Sequence, residues 1–134
     1  SIPKTFIPVL ASAIAVGKIY EPQVARREPK VIGELGIDQK YLQIVREGLR
    51  QTILAGTAKS LQSVGMSVAG KTGTAQFDAR NPARSHAWFA GYAPYEDPKI
   101  AIVVLIEDGG EGSATAVPVA REVLTWWARN QLDK

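Results

Sequence analysis

Residues 70–76, Gly-Lys-Thr-Gly-Thr-Ala-Gln, place one ammonium group, two hydroxyls and two glycines side by side, with no bulky side chain before Phe77. The stretch lies between a segment of helical periodicity and two apolar segments typical of strands, which indicates a surface where a ligand binds. Residues 65–72 also satisfy the phosphate-loop pattern, in which glycine backbone N–H groups hold phosphates and Lys71 reaches their outer oxygens. Nucleotide binding is therefore one chemistry that this stretch predicts.

The neighbouring segments argue against a phosphate loop, which needs a buried strand before it and a helix directly after it. Residues 57–63 are polar and typical of a loop, and residues 72–77 combine threonine with glycine, which disfavours a helix. One feature favours a nucleotide site, because residues 100–108 are an apolar strand that ends in two acids, as a magnesium-binding strand does. A P-loop nucleotide-binding protein that uses Gly65 to Thr72 therefore stays as an alternative.

Length and composition limit the classes of protein to consider. The 134 residues are 46% hydrophobic, which is enough for one domain with one core. No run approaches the ~20 apolar residues of a membrane span, no cleavable signal pattern opens the sequence, and no cysteine offers a disulfide or thiolate ligand. The net charge of +3 is spread along the chain without a basic run or an aromatic stacking motif. We therefore expect no nucleic-acid partner, no metal and no cofactor.

Three segments have the periodicity of helices, and they begin at residue 1, at Asp38 and after the glycine-rich stretch 109–113. The first ends at Gly17 as a C-cap, the second has Asp38 as its N-cap and ends at Gly56, and the glycine-rich stretch is expected to be a flexible loop. The predicted apolar faces of the second and third helices are Leu42, Val45, Leu49 and Ile53, and Val119, Ala120, Val123, Leu124 and Trp127.

Three further segments are typical of strands, at residues 67–77, 86–93 and 99–107. The short turn Tyr95-Glu96-Asp97-Pro98 that joins the last two leaves no room for a parallel crossover, so these strands must be antiparallel neighbours. Residues 18–27 are expected to be an extended edge segment, and residues 28–36 a loop or short hairpin. The sequence thus predicts an α+β fold with a three-stranded antiparallel sheet and helices packed mainly on one face.

Taken together, the chain resembles the C-terminal part of the transpeptidase domain of class B penicillin-binding proteins, especially the elongation-type enzymes. Lys71-Thr72-Gly73 matches the lysine-threonine-glycine triplet of serine penicillin-recognising enzymes. Other matches follow in the family's order: Gly48-Leu49, Gly56-Thr57-Ala58, Ala69 to Gln76, His86 to Pro94, Pro98 to Ala101, and Ala116-Val117-Pro118. The resemblance implies a penicillin-binding and serine β-lactamase-like fold, and a peptidoglycan D,D-transpeptidase that cross-links stem peptides ending in D-alanyl-D-alanine, or binds the β-lactams that mimic them.

One departure from the family's pattern concerns the nucleophile. The family uses the serine of a Ser-x-x-Lys motif on a buried helix, with a Ser-x-Asn motif facing it across the cleft. No Ser-x-Asn occurs in this sequence, and the formal Ser-x-x-Lys match at residues 1–4 contains Pro3 and lacks a preceding structure to bury it. We therefore expect residues 1–134 to be the C-terminal portion of a transpeptidase domain, a fragment whose upstream part carries the nucleophile. The parent protein would be held at the bacterial cell membrane, with this domain facing the periplasm or cell exterior.

The resemblance also assigns roles to four residues. The hydroxyls of Thr72 and Thr74 would bind the substrate carboxylate, and the Thr74 backbone N–H would form half of the oxyanion hole. Lys71 would supply positive charge toward the missing serine motif, and Gly73 would let the substrate backbone approach the strand. Alternation along a strand puts the two threonines on one face and Lys71 and Gly73 on the other, so the lysine must reach the cleft over the sheet edge.

The remaining conspicuous residues are expected to be structural. His86 has no partner that the sequence identifies, and a loop-to-strand role is favoured over a catalytic base. The three tryptophans, Trp88, Trp126 and Trp127, are expected in the core or on the sheet, and the loop residues Asp78, Arg80, Arg84 and Ser85 in solvent beside the cleft.

Two further expectations concern partners. A non-catalytic module that keeps the fold and binds a partner is a second alternative function. If the upstream part of the domain is missing, the apolar strand at 99–107 and the region around Val123 and Trp127 would be uncovered, so we expect the fragment to self-associate.

Overall fold

The computed structural model describes residues 6–25 and 27–132, with the side chain of residue 6 excepted. The elements in chain order are helix α1 (Phe6–Val16), strands β1 (Lys18–Tyr20) and β2 (Val31–Glu34), helix α2 (Gln39–Leu54), a 3₁₀ helix (Lys59–Ser63), strands β3 (Ala69–Gln76), β4 (Ser85–Ala93) and β5 (Ile100–Ile106), and helix α3 (Ala116–Gln131). Within the described residues no helix has the length and apolar character to cross a membrane. The formal Ser-x-x-Lys match at 1–4 lies outside this part.

Strands β3, β4 and β5 form one antiparallel sheet in that order, which confirms the predicted α+β fold. Its register is continuous: Gly70 faces Gly91 across β3 and β4, and Gly91 faces Ile102 across β4 and β5. The predicted turn between β4 and β5 is closed by a hydrogen bond of 2.9 Å from Lys99 N to Ala93 O. Among the described residues β5 pairs with β4 alone, so its other edge offers a row of backbone groups to a further strand.

The main core lies between the sheet and α3, with the 3₁₀ helix and the end of α2 closing one side. Alternate residues of β4 point into it, because side chains of a strand alternate between the two faces. Its largest fully buried members are Phe89, Ile53, Leu61 and Leu124. This packing holds the face of β3 that carries residues 70, 72 and 74 toward α3.

A smaller cluster on the opposite face joins α1 to the sheet through Ala15, Ala69 and Tyr92. The Arg46 Nε of α2 donates to Ile14 O at 2.8 Å, which ties α2 to the end of α1. Tyr92 is 1% exposed, and its hydroxyl has no hydrogen-bond partner among the residues that the structure describes. Burial, followed by the neighbouring Tyr95 and opposed by Arg46, raises the pKa of Tyr92 to about 12.

The predicted helix boundaries hold where a capping interaction defines them. The Asp38 carboxylate accepts from Lys40 N at 2.9 Å, as an N-cap does, and Gly17 follows α1 with φ of 77°. Strands β1 and β2 pair antiparallel, so residues 28–36 contribute the second strand of a short hairpin. Residues 57–63, which we expected to be a loop, contain the 3₁₀ helix, and Leu61 of this helix is buried in the core.

Several residues that we expected to be covered are exposed. Of the predicted apolar faces, Val45 is 46% exposed, and Val119 and Val123 of α3 are also on the surface. Trp126, which was expected in the core or on the sheet, is 58% exposed. The buried stripe of α2 contains Leu42 and Ile53, while that of α3 contains Val117, Ala120 and Leu124. Periodicity shows that a helix has an apolar face, but the elements packed against it decide how much of that face is covered.

Candidate active site

Strand β3 carries the Lys-Thr-Gly-Thr stretch at the edge of the sheet, and its side chains divide between the faces as alternation requires. Thr72 faces Phe89 of β4, and Thr74 faces Ala87, so both threonines lie on the side of α3. Lys71 pairs with Ala90 on the opposite face. The predicted separation of hydroxyls from ammonium by face is therefore present in the structure.

The two threonines differ in their surroundings. Thr72 is 9% exposed, and its hydroxyl shares a 2.7 Å hydrogen bond with the Thr57 hydroxyl. Thr74, by contrast, is exposed, and its Oγ1 accepts a hydrogen bond of 3.5 Å from the backbone N–H of Gly112. A carboxylate that approached this face would meet an accessible hydroxyl at Thr74 and a hydroxyl already bonded within the protein at Thr72.

Lys71 leaves its own face of the sheet to bond at the backbone. Its Nζ donates to the carbonyl oxygen of Thr72 at 2.7 Å. In a strand, the carbonyl of one residue and the N–H of the residue two positions further on point to the same edge. The ammonium group and the Thr74 N–H therefore lie at the same edge of β3. Lys71 thus reaches over the sheet edge, as the alternation of side chains led us to expect.

The stretch between β5 and α3 packs directly against β3, where a flexible loop was expected. Gly112 is buried, and a Cβ there would clash with the carbonyl oxygen of Trp88 and lie 2.6 Å from that of Gly73. The Gly112 carbonyl accepts from the first two N–H groups of α3, those of Ala116 and Val117, at 3.1 and 3.0 Å. The backbone of Gly112 thus joins the start of α3 to the threonine face of β3.

A ring of four residues, closed by one backbone N–H, holds the far end of the β3–β4 hairpin. Phe77 stacks on His86 with centroids 4.3 Å apart, and the Arg84 guanidinium lies 4.8 Å over the Phe77 ring. Arg84 donates to the Asp108 carboxylate at 2.7 Å, and Asp108 N donates to His86 Nδ1 at 3.0 Å. His86 thus lies near the start of β4 in contact with Phe77 and Asp108, and a structural role for it stays a prediction. The hydrogen bond from Arg84, together with its charge, lowers the pKa of Asp108 and in turn raises the pKa of Arg84.

Ser85 adds a second link between the hairpin and the stretch that contains Gly112. The Ser85 Oγ donates to Gly110 O at 3.1 Å, and Gly110 N donates to Ser85 O at 3.0 Å. Arg84 and Ser85, which we expected in a solvated loop, thus hold two segments together. Arg84 keeps an exposed side chain while doing so, whereas Ser85 is 5% exposed.

The structure excludes the phosphate-loop alternative. Residues 69–76 are one continuous strand paired with β4, whereas a phosphate loop must open into a helix whose N-terminus faces the anion. Residues 59–63, which precede Gly65 at the start of the phosphate-loop pattern, form a 3₁₀ helix instead of a buried strand. In the part of the chain from 6 to 132 that is described, no group of three His, Cys, Asp or Glu side chains could hold a metal ion.

Two residues of the site were not assigned by sequence reasoning. Thr57 lies in the Gly-Thr-Ala match after α2, and Gly112 lies in the glycine-rich stretch, so both segments were noticed without a role. Each reaches β3 only through tertiary packing, across 15 residues for Thr57 and 38 for Gly112.

Comparison with known proteins agrees with this geometry. The family model described as the penicillin binding protein transpeptidase domain matches residues 7–125. The peptidoglycan D,D-transpeptidase MrdA of Haemophilus influenzae is 35% identical over 88 residues, which are 57% of this chain and 14% of that protein. PbpA of Mycolicibacterium smegmatis, also a peptidoglycan D,D-transpeptidase, is 45% identical over 67 residues, 45% of this chain and 13% of the relative.

Solved structures of the same kind superpose on nearly the whole chain. The penicillin-binding protein PBP2 from Helicobacter pylori has a TM-score of 0.80 and 32% identity, covering 92% of this chain and 23% of that one. The D,D-transpeptidase domain of a peptidoglycan glycosyltransferase from Eggerthella lenta has a TM-score of 0.72 and 28% identity, covering 93% and 32%. The chain thus spans only about 14% of the length of the curated relatives that it matches. Because the family model matches residues 7–125, the chain belongs to the family of penicillin-binding protein transpeptidase domains.

Proposed function

We propose that this chain supplies the Lys-Thr-Gly strand of a peptidoglycan D,D-transpeptidase, and that the nucleophilic serine comes from a part of the domain outside these 134 residues. The observation that carries the proposal is the arrangement on β3: two threonines on one face and the Lys71 ammonium at the strand edge that also holds the Thr74 N–H. The curated relatives at 35% and 45% identity bear this activity in their names.

In the proposed reaction the serine oxygen attacks the carbonyl that precedes the terminal D-alanine of a stem peptide. The tetrahedral intermediate collapses with release of D-alanine, and the acyl group then passes to an amine of a neighbouring stem, which frees the serine. The intermediate carries an oxyanion, and a preorganised N–H donor stabilises such a charge because it needs no reorientation as the charge develops. The Thr74 N–H fills that role on this chain.

The terminal carboxylate of the substrate, or of a β-lactam, is bound on the threonine face. Thr74 offers an exposed hydroxyl, and Thr72 joins it by donating its hydroxyl proton to the carboxylate while its oxygen accepts from the Thr57 hydroxyl. Lys71 contributes a positive charge close to both anions and donates toward the second serine motif supplied by the rest of the domain. Gly73, between the two threonines, lets the extended substrate approach the backbone. The parent enzyme acts at the bacterial cell membrane, with the domain on its outer side.

A chimeric enzyme tests the proposal. Residues 7–125 of this chain replace the matching segment of the Haemophilus influenzae MrdA protein, and covalent labelling by a fluorescent penicillin is measured. We expect labelling, and Lys71→Ala should lower its rate by on the order of a hundredfold, the usual loss when one electrostatic contact to the transition state is removed. Lys59→Ala, at an exposed lysine of the 3₁₀ helix, is the matched control.

Two outcomes would contradict the proposal. A chimera that folds but takes no label would favour the non-catalytic module that keeps the fold without the chemistry. A penicillin adduct on any serine of the isolated 134-residue chain, located by mass mapping, would show that the nucleophile lies within this chain.

A further inference from the structure

We propose that Gly112 is a positioning residue for Thr74, because its backbone N–H fixes the hydroxyl as a hydrogen-bond donor to the substrate carboxylate. The inference rests on the proposed function, and it adds a residue from the segment before α3 to the carboxylate site. Gly112 does not touch substrate in this proposal and acts through Thr74.

The first step is the direction of the hydrogen bond. Gly112 N–H donates to Thr74 Oγ1 at 3.5 Å, and a backbone N–H can only donate. A threonine hydroxyl has one hydrogen and two lone pairs, so an oxygen that accepts from Gly112 keeps its hydrogen for another acceptor. A carboxylate accepts and never donates, which makes it the complementary ligand.

The second step is that both peptide groups on either side of the Gly112 Cα are held. The N–H belongs to the peptide between Glu111 and Gly112, whose carbonyl oxygen, Glu111 O, accepts from Ala114 N at 3.1 Å and from Thr115 N at 3.2 Å. The following carbonyl, Gly112 O, accepts from Ala116 N and Val117 N at the start of α3. Ser85 and Gly110, two residues earlier, exchange a reciprocal pair of hydrogen bonds between β4 and the same segment. The N–H is therefore preorganised by the core packing of α3 and does not depend on a mobile side chain.

The third step is why this position is a glycine. A Cβ at residue 112 would clash with the Trp88 carbonyl and lie 2.6 and 3.1 Å from the carbonyl oxygen and nitrogen of Gly73. These are backbone atoms of paired strand residues, which cannot move aside like the end of a flexible side chain. Any side chain would push the segment away from β3. Because the distance from Gly112 N to Thr74 Oγ1 is already 3.5 Å, a further shift would break this hydrogen bond.

The contact itself is tested in the 134-residue chain by amide hydrogen exchange. Thr74→Val removes the acceptor while keeping the shape, and we expect the Gly112 amide to exchange roughly threefold to tenfold faster, as loss of a weak hydrogen bond allows. Thr72→Val is the matched control on the same face, and the Ala116 amide is the internal reference. Unchanged exchange at Gly112, or equal acceleration in both variants, would overturn the proposal. This measurement leaves residue 112 intact, so it decides the matter even if a Gly112 variant folds poorly.

The role in recognition is tested in the chimeric enzyme with benzylpenicillin and with its methyl ester, which lacks the anionic carboxylate. Gly112→Ala should lower the acylation rate by benzylpenicillin roughly tenfold more than that by the ester, because a hydrogen bond to a charged group is worth that much. In a Thr74→Val background the same change should have no further effect on this ratio, and Ser113→Ala should leave it unaltered.

An equal loss with both ligands, or a loss that persists without the Thr74 hydroxyl, would show a merely structural role and overturn the proposal. A chimera that neither ligand acylates would refute the proposed function instead, and the exchange experiment would still decide whether Gly112 bonds to Thr74.

Discussion

Removing the Tyr92 hydroxyl should stabilise the protein. Its side chain is 1% exposed between α1 and the sheet, and the hydroxyl finds no partner among the described residues. A buried hydroxyl without a hydrogen bond costs about 1–3 kcal/mol, because its hydration is lost on folding and nothing replaces it. Phenylalanine keeps the ring and its packing against Ala69, so Tyr92→Phe should raise the free energy of unfolding by about 1 kcal/mol.

The same hydroxyl gives the wild type a distinctive alkaline transition. Because burial raises the pKa of Tyr92 from 10.0 to about 12, the folded state keeps its proton while the unfolded state ionises. Stability linked to Tyr92 is therefore fully present below pH 10 and falls as the pH rises toward 12. At pH 11, one pH unit above the ordinary pKa, ionisation of Tyr92 in the unfolded state lowers the free energy of unfolding by roughly 1 kcal/mol.

Thermal unfolding at pH 8 and at pH 11 measures both effects. At pH 8 Tyr92→Phe should melt roughly 3–5 °C above the wild type, given the entropy of unfolding of a domain of this size. At pH 11 the difference in melting temperature between Tyr92→Phe and the wild type should widen. Tyr41→Phe, at a tyrosine that is 57% exposed, should differ from the wild type by the same amount at both pH values. A Tyr92→Phe variant that melts below the wild type at pH 8 would show that the hydroxyl is satisfied and refute the reasoning.

Three other expectations follow from the fold. Gly91→Ala places a Cβ 2.5 Å from Ala69 O and should cost about 1–3 kcal/mol in urea unfolding, whereas Gly48→Ala, with no atom within 4 Å, should add about 1 kcal/mol of helix stability; similar stabilities would contradict this. The lowered pKa of Asp108 means that the stability from its pair with Arg84 is present above its ordinary value of 3.8 and is lost below it, so the melting temperature should fall less on acidification in Asp108→Asn than in the wild type. The 134-residue chain should self-associate through the open edge of β5, and light scattering that reports a compact monomer at high micromolar concentration would count against it.

Much of the architecture follows from local features of the sequence. The alternation in residues 67–77 places Thr72 and Thr74 on one face of β3, because successive side chains of any strand point to opposite sides. Asp38 predicts the start of α2 because its carboxylate can reach an N–H two residues on, an interaction within one turn. The short connection before β5 forces an antiparallel neighbour, because a parallel crossover needs a dozen residues or more.

Only the tertiary structure decided what each surface touches. The apolar spacing of α2 and α3 did not reveal that Val45 and Val123 would be exposed, since spacing describes a face and not the element packed against it. The same limit applies to the site, where Thr57 engages Thr72 across 15 residues and Gly112 meets Thr74 across 38. Residue types and spacing thus determined which groups β3 presents, because backbone sterics act over a few residues. Which of those groups is buried, bonded or open to a ligand depends on contacts between distant segments, and these exist only once the core between the sheet and α3 has formed.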